Sequence, residues 1–307
     1  MNNSNTLPSF IYQGAALRAK ELRYNPCDDV IFPSILDVEG KFPLSPGRYL
    51  MYYAPHDAPG GICLAYSNSL DGPWREWEEN PIIGRKWSPH YDVSHVSSPH
   101  AIWVPEEKKV FLYFHGENDT TRLASSANGI HFEYEGVVVT TAMYDNISES
   151  SYARVFPAES PIFGKGYIML FMGNNQRTRR IYSAWSKDGR TFQAEKKPLV
   201  NPPEGTGVTQ VGGPWLLRWR ERNLVFFHGD VTPPNLLNLT SNIYAADVGN
   251  DFQEENHLGV VFRREMVSGD NARVCDPCFV EDERGGLRLF FAMGGRLKQD
   301  IGVARVS

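Results

Sequence analysis

Tyr66-Ser67-Asn68-Ser69-Leu70-Asp71-Gly72-Pro73-Trp74 decides the fold, because the phrase comes back along the chain. Ser125-Ser126-Ala127-Asn128-Gly129-Ile130-His131-Phe132 and Trp185-Ser186-Lys187-Asp188-Gly189-Arg190-Thr191-Phe192 repeat it, and Ala246-Asp247-Val248-Gly249-Asn250-Asp251-Phe252 is a weaker copy. Glycines 72, 129 and 189 are 57 and 60 residues apart (129 − 72; 189 − 129), and Asn250 lies 61 further on. A near-constant period of this length marks a repeat architecture. Asp-Gly and Asn-Gly supply the positive φ that a tight hairpin needs, and the aromatic beyond each turn starts the next strand.

Working outward from the turns, five units share one plan. Strand A enters around a proline, as in Ile31 to Ile35, Ser97 to Trp103, Val155 to Glu159, Gly212 to Leu217 and Cys275 to Val280. Strand B is aromatic and aliphatic: Tyr49 to Tyr53, Val110 to Phe114, Tyr167 to Phe171, Leu224 to Phe227 and Leu287 to Phe291. Such runs read as buried strands. Strand C follows a longer loop, and strand D follows the turn. Phe10 to Gly14 is a lone strand at one end of the chain, and Ile301 to Val306 is another at the other end. Both fit an all-β five-bladed β-propeller of four antiparallel strands per blade. The N-terminal strand completes the last blade and closes the ring without a free edge. The expectation is a single propeller domain over residues 1–307, with at most a short helical turn or two in Ala15 to Leu22.

The 307 residues are 41% hydrophobic and 22% charged, enough for a large core. A net charge of −5 argues against a nucleic-acid partner, which asks for a basic face. No run of 18 apolar residues is present, so no membrane-spanning helix is expected. Met1 to Pro8 lacks the basic and apolar regions of a secretory leader. The chain therefore reads as cytoplasmic, and a secreted or periplasmic protein with its leader removed would look the same. Cys275 and Cys278 have the spacing of half a zinc or redox site, but nothing completes it; with Cys27 and Cys63 they read as ordinary thiols.

A propeller puts the heads of strands A, the ends of strands B and the B–C loops at one face. Those positions are rich in ionisable groups: Asp28, Asp29, His100, Arg154, Glu159, Arg273 and Asp276 at the strand heads, with His56, His115, Glu117, His228 and Asp230 at the strand ends. With His95, also at a strand head, five of the eight histidines (56, 95, 100, 115 and 228) fall at these positions. Each has a bland reading as well. Asp28 and Asp29 could cap a turn, the His-Gly-acid phrase at 115–117 and 228–230 could be repeat ancestry, and Arg154 and Arg273, sharing the string Ala-Arg-Val, could pair with neighbouring carboxylates. Their convergence on one face favours a polar pocket. Loops Ala54 to Gly61 and His228 to Ser241 could wall it, and Tyr53, Trp87 and Trp215 could stack on a bound ligand.

At this point the chain resembles the five-bladed β-propeller glycoside hydrolases, the superfamily of arabinanases, β-xylosidases and invertase-like enzymes. The resemblance rests on the phrase at 66–74, on x-Pro at the start of inner strands (Asp276-Pro277, Gly213-Pro214), and on the blade count. It implies a glycosidase acting on a poly- or oligosaccharide, with carboxylates in a central funnel: one protonates the leaving oxygen, another activates water or attacks the sugar, and a third tunes the acid. In the arabinanase-like pattern the base is an Asp at the head of blade one, the acid a Glu in a Glu-Gly-Pro phrase of blade four and the tuner an Asp in blade three. Here Phe32 precedes Pro33, and blade four reads Gly212-Gly213-Pro214. The expected set is therefore rearranged, with Asp29 as base and Glu159 and Asp276 as acid and tuner in either order. Asp28, His56, His100, His115, Glu117, Arg154, His228, Asp230 and Arg273 would contact substrate. Two alternatives stay open. One is histidine-dependent cleavage of uronic-acid glycans, using His100, His115 or His228 with Arg154 or Arg273 on the carboxylate. The other is a glycan-binding propeller without catalysis. No cofactor is expected; a central calcium or other cation near His228 or Asp230 is compatible with the resemblance, but no closed ligand set is present.

Overall fold

The computed structural model describes residues 7–233, 238–267, 269 and 271–307. Strand β1 (Phe10–Leu17) opens the chain and runs into a short 3-10 turn at Ala19–Glu21. Blade I is β2 (Ile31–Asp37), β3 (Tyr49–Ala54), β4 (Cys63–Ser67) and β5 (Arg75–Glu76). A small hairpin, β6 (Lys86–Trp87) and β7 (Tyr91–Asp92), precedes blade II, which is β8 (Val96–Val104), β9 (Lys109–Gly116), β10 (Thr120–Ser126) and β11 (Glu133–Thr140). Blade III is β12 (Ser151–Ser160), β13 (Gly164–Asn175), β14 (Thr178–Ser186) and β15 (Phe192–Ala194). Blade IV is β16 (Gln210–Trp219), β17 (Arg222–Val231), β18 (Thr240–Asp247) and β19 (Asn256–Phe262). Blade V is β20 (Arg273–Glu281), β21 (Leu287–Gly295), β22 (Lys298–Val306) and β1.

The ring closes as the repeat demands. β1 pairs antiparallel with β22, from Phe10 opposite Val306 to Leu17 opposite Ile301. The innermost strands β2, β8, β12, β16 and β20 touch their neighbours all the way round. Each middle strand faces two blades, so it is apolar on both sides rather than alternating. In β3, Leu50 and Tyr52 join the cluster shared with Leu112 and Phe114 of blade II, while Met51 and Tyr53 join the cluster shared with blade V. Burying each such side chain stabilises the fold by roughly 1.5–3 kcal/mol.

The turn phrase does two jobs. Ser126 Oγ accepts the Gly129 N–H at 2.9 Å, and Ser186 Oγ accepts the Gly189 N–H at 2.9 Å, so the serine holds its own turn. The turn carbonyl then ties blades together: the Tyr52 hydroxyl donates to Gly129 O at 2.8 Å, and the Tyr113 hydroxyl donates to Gly189 O at 2.8 Å. Positive φ falls at Gly72, Gly129, Gly189 and Gly249. In the fourth copy the equivalent residue is therefore Gly249, not Asn250.

A second repeat lies on the inner strands. Each carries a bulge, between Ile31 and Ser34, Ser97 and His100, Ser151 and Arg154, Gly212 and Trp215, and Cys275 and Cys278. At each bulge one residue has positive φ: Phe32 (60°), Ser98 (53°), Tyr152 (55°), Gly213 (55°) and Asp276 (52°). Proline follows in four blades, and Ala153 stands in its place in blade III. Bulges of this kind re-aim side chains, here toward the axis.

Gly213 shows how little room the bulges leave. A Cβ there would overlap Asp276 Oδ1 and lie 2.8 Å from His228 Nδ1. Gly213→Ala should therefore cost about 2–4 kcal/mol, through strain and overlap together. Gly205→Ala, also at positive φ but with open space around it, should cost only about 1 kcal/mol. Urea unfolding of both variants checks the difference.

Candidate functional site

The bulges bring together residues far apart in sequence. Asp29 is fully buried just ahead of β2; its Oδ1 accepts the Gln299 N–H at 2.7 Å, and its Oδ2 has no partner. That free oxygen lies 4.0 Å from His56 Nδ1, which is also unpartnered. His56 is partly exposed, and its Nε2 comes within 3.4 Å of the Tyr152 hydroxyl. His228, at the end of β17, has Nδ1 3.3 Å from Asp276 Oδ1 and Nε2 4.0 Å from Asp230 Oδ2. Arg273 spans the same layer, reaching Asp230 Oδ1 at 3.2 Å, Ser241 Oγ at 2.8 Å and Gln299 Oε1 at 3.3 Å. The Ser241 hydroxyl donates to Asp230, and Glu149 holds the partly exposed Arg179 at 3.0 Å.

Electrostatics separates the three aspartates. Burial pushes Asp29 up to about 7, with the nearby Asp276 charge adding to the effect. Burial pulls Asp230 and Asp276 the same way, but is outweighed: Arg273, His228 and the Ser241 hydroxyl hold Asp230 below the usual range, and His228, Arg273 and Arg154 do so for Asp276. Burial, reinforced by Arg273, lowers His56 to about 4. The layer therefore pairs one protonatable carboxyl with two anionic ones.

The expected residues divide. Asp29, His56, His228, Asp230, Arg273 and Asp276 come together. Glu159 does not: it sits near the far end of β12, opposite Lys165, 3.9 Å from its ammonium and largely exposed. The error has a physical cause. Pro157 looked like the blade III marker, but the bulge is at Tyr152-Ala153, five residues earlier, where no proline stands. The shared Ala-Arg-Val string misleads likewise, since Arg154 follows its bulge residue and Arg273 precedes its own. Arg154 is buried without a carboxylate partner among the described residues, donating to Pro99 O at 2.9 Å and lying 5.5 Å over the Trp215 ring. His100 is sealed beside it, 2.7 Å from Val155 O, and His115 is buried 2.9 Å from Ser98 Oγ; burial holds both imidazoles well below their ordinary value. Asp28 is exposed and takes the Asn25 amide at 3.2 Å, while Glu117 accepts the Ser94 N–H at 2.7 Å. Both are turn residues at the rim. Tyr53 is core and Trp215 is nearly so, while Trp87 packs on Tyr134, 5.8 Å between centroids, away from the cluster. Part of the His228 to Ser241 loop lies outside the described residues.

Five groups went unforeseen: Tyr152, Gln299, Ser241, Glu149 and Arg179. Tyr152 was visible only by aligning the five bulges rather than the prolines. His228, Cys275 and Asp276 each put one ligand atom within 4.8 Å of the others. Asp276 Oδ1 has no hydrogen-bond partner, so the three could hold a cation, and the thiol would favour a softer ion than calcium.

The Asp29 shift carries a stability signature. The folded chain holds this proton more tightly than the unfolded one, across the interval from 3.8 to about 7. Its stabilising contribution is full at low pH and is lost as pH rises through the folded value. Asp29→Asn removes that loss. Between about pH 4 and about pH 8, wild type should weaken relative to the variant by at most about 4 kcal/mol in urea unfolding.

No family model and no curated protein matches the sequence. Solved structures do match the fold. The catalytic domain of a GH62 α-L-arabinofuranosidase from Coprinopsis cinerea superposes with a TM-score of 0.65 at 10% identity, covering 98% of each chain. A thermostable family-43 glycoside hydrolase gives 0.64 at 11% identity, over 92% of this chain and 91% of that one. An exo-1,5-α-L-arabinanase from a bovine ruminal metagenomic library gives 0.62 at 12% identity, over 91% and 94%. At such identities the likeness establishes a shared fold along nearly the whole chain: this protein is a β-propeller of the architecture those glycoside-cleaving proteins use.

Proposed function

We propose that the protein cleaves a glycosidic bond of a poly- or oligosaccharide at the mouth of the funnel, as a glycoside hydrolase with a displaced catalytic set. One observation carries the reading. Three of the buried polar atoms without hydrogen-bond partners among the described residues, Asp29 Oδ2, His56 Nδ1 and Asp276 Oδ1, lie in this one layer, and a ligand or water commonly completes such atoms in native proteins. The fold-level neighbours, named as arabinofuranosidase and arabinanase, support a carbohydrate as that ligand.

The three positions where the resembled family carries its carboxylates are here Phe32, Tyr152 and Gly212. The carboxylates that remain lie one layer deeper. Asp29, held near 7, is the group that can give or take a proton at neutral pH, and Asp276 is the standing anion. Asp29 thus suits the acid role as well as the base role expected from sequence. Because Asp29 is sealed, the partly exposed His56 stands between it and the mouth. That arrangement also favours a second reading, histidine-dependent elimination from a uronic-acid glycan.

Aryl glycosides and neutral and uronic-acid oligosaccharides, followed by product mass and ultraviolet absorbance, separate the readings. A water-added product, lost by at least about a hundredfold in Asp29→Asn and Asp276→Asn and unchanged in Glu159→Gln, is the expected result. An unsaturated product abolished in His56→Ala would move the protein to elimination. Sugar binding without turnover in any case would leave a glycan-binding propeller.

A further inference from the structure

Tyr152 stands at the blade III bulge, where φ of 55° is costly for a non-glycine residue. Its ring is wedged between Phe32, 4.5 Å between centroids, His115 at 5.9 Å and His228 at 6.4 Å. Its hydroxyl lies 3.4 Å from His56 Nε2. Behind it, His56 Nδ1 faces Asp29 Oδ2 at 4.0 Å, neither atom having a hydrogen-bond partner among the described residues. Phenol, imidazole and carboxyl thus form one line from the mouth to the buried layer. Both gaps are longer than a good hydrogen bond, as is common before substrate tightens a site.

We propose that the Tyr152 phenol is the proton-transfer residue at the reacting bond, with His56 and Asp29 carrying the proton away from it. The inference rests on the hydrolytic reading above and adds to it the residue that touches the reacting atoms. In the step, an O–H bond of the attacking water breaks and its proton moves to the Tyr152 oxygen. The phenolic proton passes to His56 Nε2, and the His56 Nδ1 proton passes to Asp29 Oδ2. The water oxygen bonds to the anomeric carbon as the glycosidic C–O bond breaks. The bonding pair stays on the leaving oxygen, which takes a proton from solvent, and Asp29 returns its proton to solvent after product departs. Nothing is oxidised or reduced. Burial keeps the phenol protonated at rest, and the Asp29 carboxyl, near 7, is a terminal acceptor matched to neutral pH.

Two measurements test this, and Tyr152→Phe serves both because it keeps the ring and its packing. In the first, histidine is labelled with 15N and its tautomer is read by NMR at mildly alkaline pH. His56 should carry its proton on Nδ1 and accept at Nε2, and the Nε2 resonance should shift in Tyr152→Phe. A His56 protonated on Nε2, or a resonance unmoved by the variant, overturns the proposal. In the second, on an oligosaccharide that wild type hydrolyses, Tyr152→Phe should lose at least about a hundredfold in kcat with KM within about threefold. A kcat kept within about threefold overturns the proposal and leaves the hydrolytic reading standing. If wild type turns over none of the panel, the hydrolytic reading fails instead, and the tautomer measurement alone decides the proton line.

Discussion

Five residues held at positive φ on the five innermost strands set the geometry of everything near the axis. A bulge lets two residues of the inner strand oppose one of its neighbour, so the strand can bend as it passes the crowded centre. Without the five bends, side chains such as Asp276 and Tyr152 would point along the blade seams instead of converging. The cost is backbone strain at Phe32, Ser98, Tyr152 and Asp276. The seams offset it: middle-strand side chains such as Phe114, Phe171 and Phe227 are fully buried against the next blade. Proline after four of the bulges restricts the preceding residue and lowers the entropy of the unfolded chain.

Placing charge at such an axis is expensive unless each charge finds a partner. The layer is built accordingly. Arg273 answers Asp230, His228 lies against Asp276, and Arg179 answers Glu149. Gln299 stitches the layer together, giving its backbone N–H to Asp29, accepting from Arg273 and donating to Cys275 Sγ at 3.1 Å. Asp29 is the member left without a full counter-charge, and its carboxyl is raised until it exchanges its proton near neutral pH. A single network thereby yields anionic and neutral carboxyl groups side by side, the raw material of acid–base chemistry.

Two of the solved structures that share the fold are named as an exo-1,5-α-L-arabinanase and an α-L-arabinofuranosidase. Here the bulge positions of blades I, III and IV hold apolar, phenolic and glycine residues. A rigid ring tolerates that exchange, because the blades fix the backbone whatever side chain the bulge carries. What the funnel does then depends on a handful of side chains, and fold alone does not choose among them.

The sequence by itself determined the repeat, the strand plan and the closing strand. These depend on local chemistry: glycines able to adopt positive φ at the turns, serines that bond their own turn, and apolar runs that must bury both faces. It also named Asp29, His56, His228, Asp230, Arg273 and Asp276, which the closed ring brings together. Tertiary structure alone decided which groups share a layer and which charge state each keeps. Glu159 and Tyr152 lie seven residues apart on one strand, yet one is solvated at a hairpin and the other is wedged at the axis. The strand looks alike at both places; what differs is the bulge, and a bulge without its proline leaves no local mark. Burial, the distance between Asp29 and His56, and the field of Arg273 are sums over residues from blade I to blade V, so they exist only once the ring has closed.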